Sequence, residues 1–120
     1  PVVCIGENTE DEMNVVLEDV KEADISKIVF VYEPEGAIST EPDAKPASGE
    51  QLERALAAMR EVLGKKAGKA ASKTSILYGG SVNSKNIEGF MGKGIQGVLV
   101  GAASLDAQEF VQLVKNAVLE

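Results

Sequence analysis

Residues 27–34, Lys-Ile-Val-Phe-Val-Tyr-Glu-Pro, decide the fold of this 120-residue chain. Their β-branched and aromatic residues predict a strand over Lys27 to Tyr32, which ends abruptly at Glu33-Pro34. Three more apolar runs predict strands: residues 1–5 closed by Gly6, residues 75–78 before a Gly-Gly-Ser turn, and residues 97–100 before a Gly-Ala-Ala-Ser turn. The run at residues 1–5 is typical of a strand buried on both faces.

Helical patterns follow each predicted strand. Thr9 with Glu12, and Ser48 with Gln51, have the spacing of capping boxes. Two amphipathic helices are expected after them, with apolar stripes at Met13, Val16, Leu17 and Val20 and at Leu52, Ala55, Leu56, Met59, Val62 and Leu63. The second helix is predicted to end at Gly64, before a basic linker that runs to Lys73.

Two further helices complete the pattern. A short one is indicated by Ile87, Phe90 and Met91, and the last has a predicted apolar face of Phe110, Val111, Val114, Ala117 and Val118. Strand and helix thus alternate four times, which predicts an α/β fold with a parallel sheet over a single domain, residues 1–120. Four such units are half of what a closed (β/α)8 barrel needs.

The composition argues against several classes of partner and site. The net charge of −7 argues against a nucleic-acid or membrane partner, since both surfaces are anionic. No apolar run is long enough to span a bilayer and no secretory signal is present, so a cytoplasmic location is expected. One cysteine and no histidine leave no usual zinc ligand set, and neither a metal nor a cofactor is predicted.

The carboxyl ends of parallel strands lie at one edge of a sheet, where function concentrates. The turns expected there are Gly6-Glu7, Glu33-Pro34, Gly79-Gly80-Ser81 and Gly101-Ala102-Ala103-Ser104. Glycine lets backbone N–H groups approach a phosphate, and the dipole of a following helix favours its charge. The alternative is that these glycines only permit tight turns.

Glu33 is the candidate general base because it directly follows a buried strand and precedes a stiffening proline. The alternative is an ordinary solvated glutamate. A long polar segment from Glu35 to Ala47 follows, which predicts either a lid over the site or a disordered loop.

Tyr32-Glu33-Pro34, followed by Ala37-Ile38-Ser39-Thr40, resembles the catalytic strand and lid of the triosephosphate isomerase family. Residues 1–7, 76–83 and 97–105 resemble the fifth, seventh and eighth strands of that family, in the same order. The resemblance extends over essentially the whole chain. It implies the C-terminal half of a (β/α)8 barrel, strands five to eight.

The resemblance also implies functional roles. Glu33 would be the base that interconverts dihydroxyacetone phosphate and glyceraldehyde 3-phosphate through an enediolate. Backbone N–H groups would surround the substrate phosphate at Ser39, Ser81, Gly101 and Ala102. Cys4 and Glu7 would support the site, with Cys4 otherwise an ordinary buried thiol.

Several departures from the family pattern affect these expectations. The first four strands are missing, with the Asn-x-Lys lysine and the histidine electrophile, and donors of this kind are each worth about 3 to 4 kcal/mol. The isolated chain is therefore expected to be inactive or nearly so. The family's lid residues Val, Trp, Gly and Gly are replaced by Glu35, Gly36, Ser39 and Glu41. Glu35 and Glu41 are expected to point to solvent. Ala102 stands where the family has a glycine, and an alanine is tolerated there only if its backbone φ is not positive.

Half a barrel leaves the first and fourth strands unpaired, and apolar edges of this kind invite pairing. A homodimer that closes an eight-stranded barrel is predicted, and a complementary N-terminal half is the alternative. Two functions stay open. One is a triosephosphate isomerase half that becomes active with its missing strands; the other is a non-catalytic, self-assembling half-barrel with weak phosphate binding through Ser81 and Gly101.

Overall fold

A computed structural model describes residues 1–118 of the chain. Its single sheet has four strands: β1 (Val2–Ile5), β2 (Val29–Tyr32), β3 (Ile76–Gly79) and β4 (Gly97–Leu99). All neighbouring pairs are parallel, in the order β1-β2-β3-β4. The fold is therefore α/β, with the strand arrangement of half a (β/α)8 barrel, as the alternating sequence pattern predicted.

The helices connect and cover these strands. The α-helices are α1 (Thr9–Leu17), α2 (Glu22–Ile25), α3 (Gly49–Ala67) and α4 (Ala107–Ala117). Short 3-10 helices lie at Glu35–Ala37, Gly68–Lys73, Ile87–Gly89 and Ala102–Leu105. Sequence periodicity did not indicate α2, because four residues are too few to show a helical repeat. None of the helices within residues 1–118 is long and apolar enough to cross a membrane.

The hydrophobic core lies on one face of the sheet. The register aligns Phe30 with Ile76 and Tyr32 with Tyr78, so their side chains share a face. These four residues are at most 2% exposed. They belong to one cluster with residues of α1 and α3, among them Met13, Leu17, Leu52, Met59 and Leu63.

The opposite face of the sheet is open at β1, so the prediction that this strand is buried on both faces is wrong. Val2 is 58% exposed, and Cys4 is exposed rather than a buried thiol. Both side chains point away from the α-helices, because side-chain direction alternates along a strand. This face corresponds to the inward-facing side of the sheet in a closed barrel.

The two predicted capping boxes differ from their expected form. At α1 the N-cap is Asn8, and the Glu12 carboxylate accepts a 2.7 Å hydrogen bond from the Gly6 N–H at the end of β1. At α3 the Ser48 hydroxyl accepts from the Gln51 N–H at 3.1 Å, as predicted. In both cases the Glu or Gln side chain satisfies a more distant polar group instead of the N-cap N–H.

The predicted end of α3 at Gly64 and the linker after it are also wrong. The helix continues to Ala67, which is fully buried one turn beyond Leu63, and a 3-10 helix follows. Burial of Ala67 outweighs the cost of about 1 kcal/mol for a glycine inside a helix. The helix ends at Gly68, whose φ of +52° is strained for other residues.

These two glycines make a matched test of the helix end. Gly64→Ala should raise the free energy of unfolding by about 0.5 to 1 kcal/mol, because nothing lies within 4 Å of the added Cβ. Gly68→Ala should lower it by about 1 kcal/mol through its positive φ. Urea denaturation of both variants measures the difference, and equal effects would contradict the observed helix end.

The predicted apolar face of the last helix is exposed instead of buried. Phe110, Val111 and Val114 are each 39% to 52% exposed, and Leu113 is the one residue of α4 that is fully buried. The exposed residues lie on the side of α4 that faces away from the sheet core. A stripe of apolar residues predicts a buried face only when a neighbouring element exists to cover it.

Candidate functional site

The carboxyl ends of β2, β3 and β4 open into one cavity of about 480 Å³. It is lined by Glu33, Ile38, Ser39, Thr40, Gly80, Ser81, Leu99, Val100, Gly101, Ala102 and Leu105. All five residues that the sequence singled out for catalysis and phosphate binding are among them. Parallel pairing explains the convergence, because it places the end of every strand at the same edge of the sheet.

Glu33 lies directly beyond β2, half-buried at the cavity wall. Its backbone N–H donates to the Ile5 carbonyl at 2.9 Å, which fixes the main chain against β1. Its carboxylate lies over Gly79 of the neighbouring strand: a Cβ at Gly79 would come within 2.9 Å of Glu33 Oε2. Gly79 is therefore required for the carboxylate to take this position.

The turn after β3 directly contacts the segment from Glu35 to Ala47, which we call the lid. Gly80 has a φ of +137°, and a Cβ there would lie 2.6 Å from the Ala37 Cβ on the lid. Ser81, with a φ of +50° that is uncommon for serine, donates its hydroxyl hydrogen to the Ala37 carbonyl at 3.0 Å. The close approach of lid and turn thus depends on a glycine and on a strained backbone.

The turn after β4 meets the other part of the lid. A Cβ on Gly101 would lie 3.1 Å from Ser39 Oγ, so glycine allows the lid hydroxyl to pack against the turn. Ala102 does not have a positive φ, which satisfies the condition for replacing glycine there. Within residues 1–118, the N–H groups of the four predicted phosphate-binding residues, Ser39, Ser81, Gly101 and Ala102, donate to no protein acceptor. They are available to an anion.

Helix dipoles contribute less to this site than the sequence suggested. The β3 turn leads into the 3-10 helix Ile87–Gly89, and the β4 turn into the 3-10 helix Ala102–Leu105 before α4 begins. Neither turn runs directly into an α-helix, and the macrodipole acts only within about one turn of a helix end. Backbone N–H groups therefore provide the positive potential.

The segment from Glu35 to Ala47 folds as a lid, the first of the two alternatives. Ile38, Ser39 and Thr40 line the cavity. The far end of the lid is held by the Tyr78 hydroxyl, which accepts from the Ala47 N–H at 2.8 Å and donates to the Gly80 carbonyl at 3.0 Å. Glu35 and Glu41 are exposed, as expected.

Tyr78 should make the protein sensitive to alkaline pH. Burial, opposed by the Ala47 N–H, raises the pKa of Tyr78, and burial likewise raises the pKa of Tyr32. A raised pKa in the folded state means that stability is complete below about pH 10 and falls as the pH rises further, since the unfolded tyrosine ionises first.

Tyr78→Phe tests this directly. At neutral pH it should lower the free energy of unfolding by about 1 to 2 kcal/mol, because the hydrogen bonds of the hydroxyl are lost. Above about pH 10 its free energy of unfolding should fall less steeply with pH than that of the unmodified protein. Denaturant titrations at several pH values measure both effects. Tyr32→Phe is a comparison variant: burial also raises the pKa of Tyr32, so this variant should likewise reduce the alkaline loss of stability. At neutral pH it should cost less than Tyr78→Phe, because the Tyr32 hydroxyl accepts one hydrogen bond from a part-buried side chain, Gln51 Nε2. An unchanged alkaline decline in Tyr78→Phe would contradict the assignment.

Cys4 and Glu7 do not line this cavity. Glu7 contributes to a separate, larger cavity of about 580 Å³, between the start of α1 and α3, and Cys4 lies in a third one beside α1. The cavity at Glu7 is lined neither by Glu33 nor by the turns after β3 and β4, so its larger size does not identify it as the reactive site. Partial burial and, secondarily, the charge of Glu33 raise the pKa of the Cys4 thiol, which is therefore protonated near neutral pH.

Sequence reasoning missed the apolar wall of the site, formed by Leu99, Leu105 and Ile38. Leu99 could have been found because it lies two residues from both Gly97 and Gly101, which places all three on one face of the predicted strand. Leu105, 89% exposed at the end of the 3-10 helix Ala102–Leu105, had no such signal. Neither lysine nor arginine lines the cavity in the part of the chain that the structure describes, and no metal-ligating cluster occurs there.

Comparison with known proteins identifies the family. A sequence model of triosephosphate isomerase matches residues 1–117. The chain belongs to the triosephosphate isomerase family. It is 44% identical to a triosephosphate isomerase of Dehalococcoides mccartyi, with 98% of this chain and 49% of that protein covered. It is 42% identical to that of Debaryomyces hansenii and 40% identical to that of Leifsonia xyli, with 96% of the chain and 50% and 48% of those proteins covered.

The chain spans about half the length of the curated triosephosphate isomerases that it matches. This agrees with a sheet of four parallel strands where a closed barrel of the family's type has eight.

Proposed function

We propose that this chain is the C-terminal half of a triosephosphate isomerase-like enzyme, which interconverts dihydroxyacetone phosphate and glyceraldehyde 3-phosphate. The observation that carries the proposal is one cavity lined by Glu33, by the turns after β3 and β4 and by residues 38–40 of the lid. Family membership supports the same reaction.

In the proposed reaction, Glu33 takes a proton from the carbon next to the substrate carbonyl and returns it to the adjacent carbon through an enediolate. The N–H groups of Ser39, Ser81, Gly101 and Ala102 hold the phosphate. The lid, held by Tyr78 at one end and Ser81 at the other, excludes water from the enediolate.

The half-barrel lacks the groups that would stabilise the developing negative charge on the substrate oxygens. The chain has no histidine, and no cationic side chain lines the cavity within residues 1–118. Oxyanion donors are commonly the largest electrostatic contribution to such reactions. The isolated chain is therefore proposed to be inactive or nearly so, with activity arising when a complementary N-terminal half supplies those donors.

Complementation with the N-terminal half of the Dehalococcoides mccartyi relative tests this function. The mixture should isomerise triose phosphates, and Glu33→Gln should reduce kcat at least about 100-fold, because the base is removed without a change of shape. Glu35→Gln and Glu41→Gln are matched controls, since both carboxylates are exposed on the lid, and each should retain activity. Equal activity of Glu33→Gln and the controls would contradict the role of Glu33.

We also propose that residues 1–120 act as one (β/α)4 domain whose two free edges are covered by a second copy. Among residues 1–118, one edge of β1 and one edge of β4 pair with no strand, and exposed apolar residues accompany both: Val2 and Val15 near β1, and Leu99 and the residues of α4 near β4. Pairing β4 of each copy with β1 of the other would close eight strands with two-fold symmetry. It would also cover the open inner face.

Light scattering at micromolar concentration tests the assembly. A homodimer should appear at twice the chain's mass of 12.6 kDa. Val2→Lys, on the open face of β1, should shift the equilibrium towards monomer, since a buried lysine in the closed barrel would lack a partner. A folded monomer of the unmodified chain would contradict the homodimer, and assembly only with an N-terminal half would favour the heteromeric alternative.

The second candidate function is a non-catalytic, self-assembling half-barrel with weak phosphate binding through Ser81 and Gly101. The chain has no histidine, and no lysine lines the cavity among residues 1–118, which favours this alternative. Tight binding of an enediolate mimic by the chain without any complementing half would argue against this alternative, since only a nearly complete site recognises the reactive intermediate more tightly than phosphate alone.

A further inference from the structure

Ser84 is a buried residue after the Gly79-Gly80-Ser81 turn, and its N–H, hydroxyl and carbonyl groups all bond to α4. The Ser84 N–H donates to Glu109 Oε1 at 2.6 Å, and its hydroxyl donates to Glu109 Oε2 at 2.9 Å. The Ser84 carbonyl accepts from Asn116 Nδ2 at 2.8 Å. The Glu109 carboxylate thus uses both oxygens to hold a segment 25 positions away in sequence. We refer to the Ser84–Glu109 pair as the clamp.

Each side of the clamp is connected to one wall of the candidate site. On one side, the Asn86 side chain donates to the Ser81 carbonyl at 2.9 Å and accepts from the Asn83 N–H at 2.9 Å, so the segment around Ser84 is rigidly joined to the Ser81 turn. On the other side, the Glu109 N–H donates to Asp106 Oδ1 at 2.9 Å. Asp106 directly follows the 3-10 helix that begins at Ala102.

Apolar packing alone holds α4 weakly. Leu113 is the helix's one fully buried residue, while Phe110, Val111 and Val114 remain substantially exposed. Hydrogen bonds to a carboxylate are stronger than those between neutral groups, by about a factor of two. The clamp is therefore a principal attachment of the first turn of α4 to the β3 turn.

We propose that Glu109 is a positioning residue that sets the spacing between the two phosphate-binding turns, Gly80-Ser81 and Gly101-Ala102. The inference rests on the proposed phosphate site. Glu109 does not line the cavity, and it acts through Ser84 on one wall and through the start of α4 on the other. N–H groups from two turns bind one anion together only when their separation matches it.

Titration of the chain with inorganic phosphate, followed by the amide resonances of Ser81 and Gly101, tests the proposal. In the unmodified protein both amides should follow one binding curve. Glu109→Ala should weaken binding about tenfold, the size expected for losing charge-assisted hydrogen bonds, and the ratio of the phosphate-induced shifts at the two amides should change, because one turn no longer reaches the anion as closely as the other. Glu109→Gln keeps the shape and one acceptor, so it should restore affinity to within about threefold of the unmodified protein.

Gln108→Ala is the matched control, because Gln108 is the exposed neighbour of Glu109 on α4, and it should leave binding unchanged. Ser84→Ala removes the hydroxyl but keeps the N–H, so it should weaken binding about two- to threefold, and it replaces Glu109→Ala if that variant does not fold.

The outcomes separate this inference from the function on which it rests. Phosphate affinity equal to that of the unmodified protein in Glu109→Ala or in a folded Ser84→Ala, with only a lower melting temperature, would show a purely structural clamp and overturn the inference alone. Absence of phosphate binding by the unmodified chain would overturn the proposed phosphate site and this inference together.

Discussion

Parallel pairing of four short strands is the constraint on which the rest of the structure depends. Because every strand runs in the same direction, the segments that leave β2, β3 and β4 emerge at one edge and enclose one cavity. The chain between strands must then return across the sheet, which places helices such as α1 and α3 over one face. The core and the candidate site are therefore two consequences of the same strand order.

Close backbone approach determines what happens at that edge. Glycines at positions 79, 80 and 101 leave space for the Glu33 carboxylate, the lid backbone and the lid hydroxyl of Ser39. A Cβ at Gly79 or Gly80 would lie 2.9 Å from Glu33 Oε2 or 2.6 Å from the Ala37 Cβ, so these contacts would have to shift, and one at Gly101 would make a tight contact of 3.1 Å with Ser39 Oγ. The lid is also held by hydrogen bonds from Tyr78 and Ser81, so closure over the cavity results from specific contacts with the β3 turn.

Two kinds of exposed apolar surface occur in this half-barrel. Val2 and Cys4 are exposed on the inner face of the sheet, and Phe110, Val111 and Val114 are exposed on α4, which packs against the core through Leu113. With so little of α4 buried, its attachment relies on the polar contacts of Ser84 and Glu109. The half-barrel thus keeps its strand order and turns, while the inner face of β1 and the exposed side of α4 remain apolar, as buried surfaces usually are.

The sequence by itself determined the alternation of strands and helices, because periodicity and turn residues are local. It selected Glu33 and the glycine turns as candidates from their place after apolar strands and from their resemblance to one family. It failed at boundaries and burial: the continuation of α3 through Gly64 depends on the buried Ala67, and exposure along α4 depends on which neighbours exist. Only the tertiary structure decided that the lid packs on Gly80 and that Ser84 bonds to Glu109. Contacts between residues 25 or more positions apart leave no periodic signal in one chain, since they arise from how the elements are placed in space.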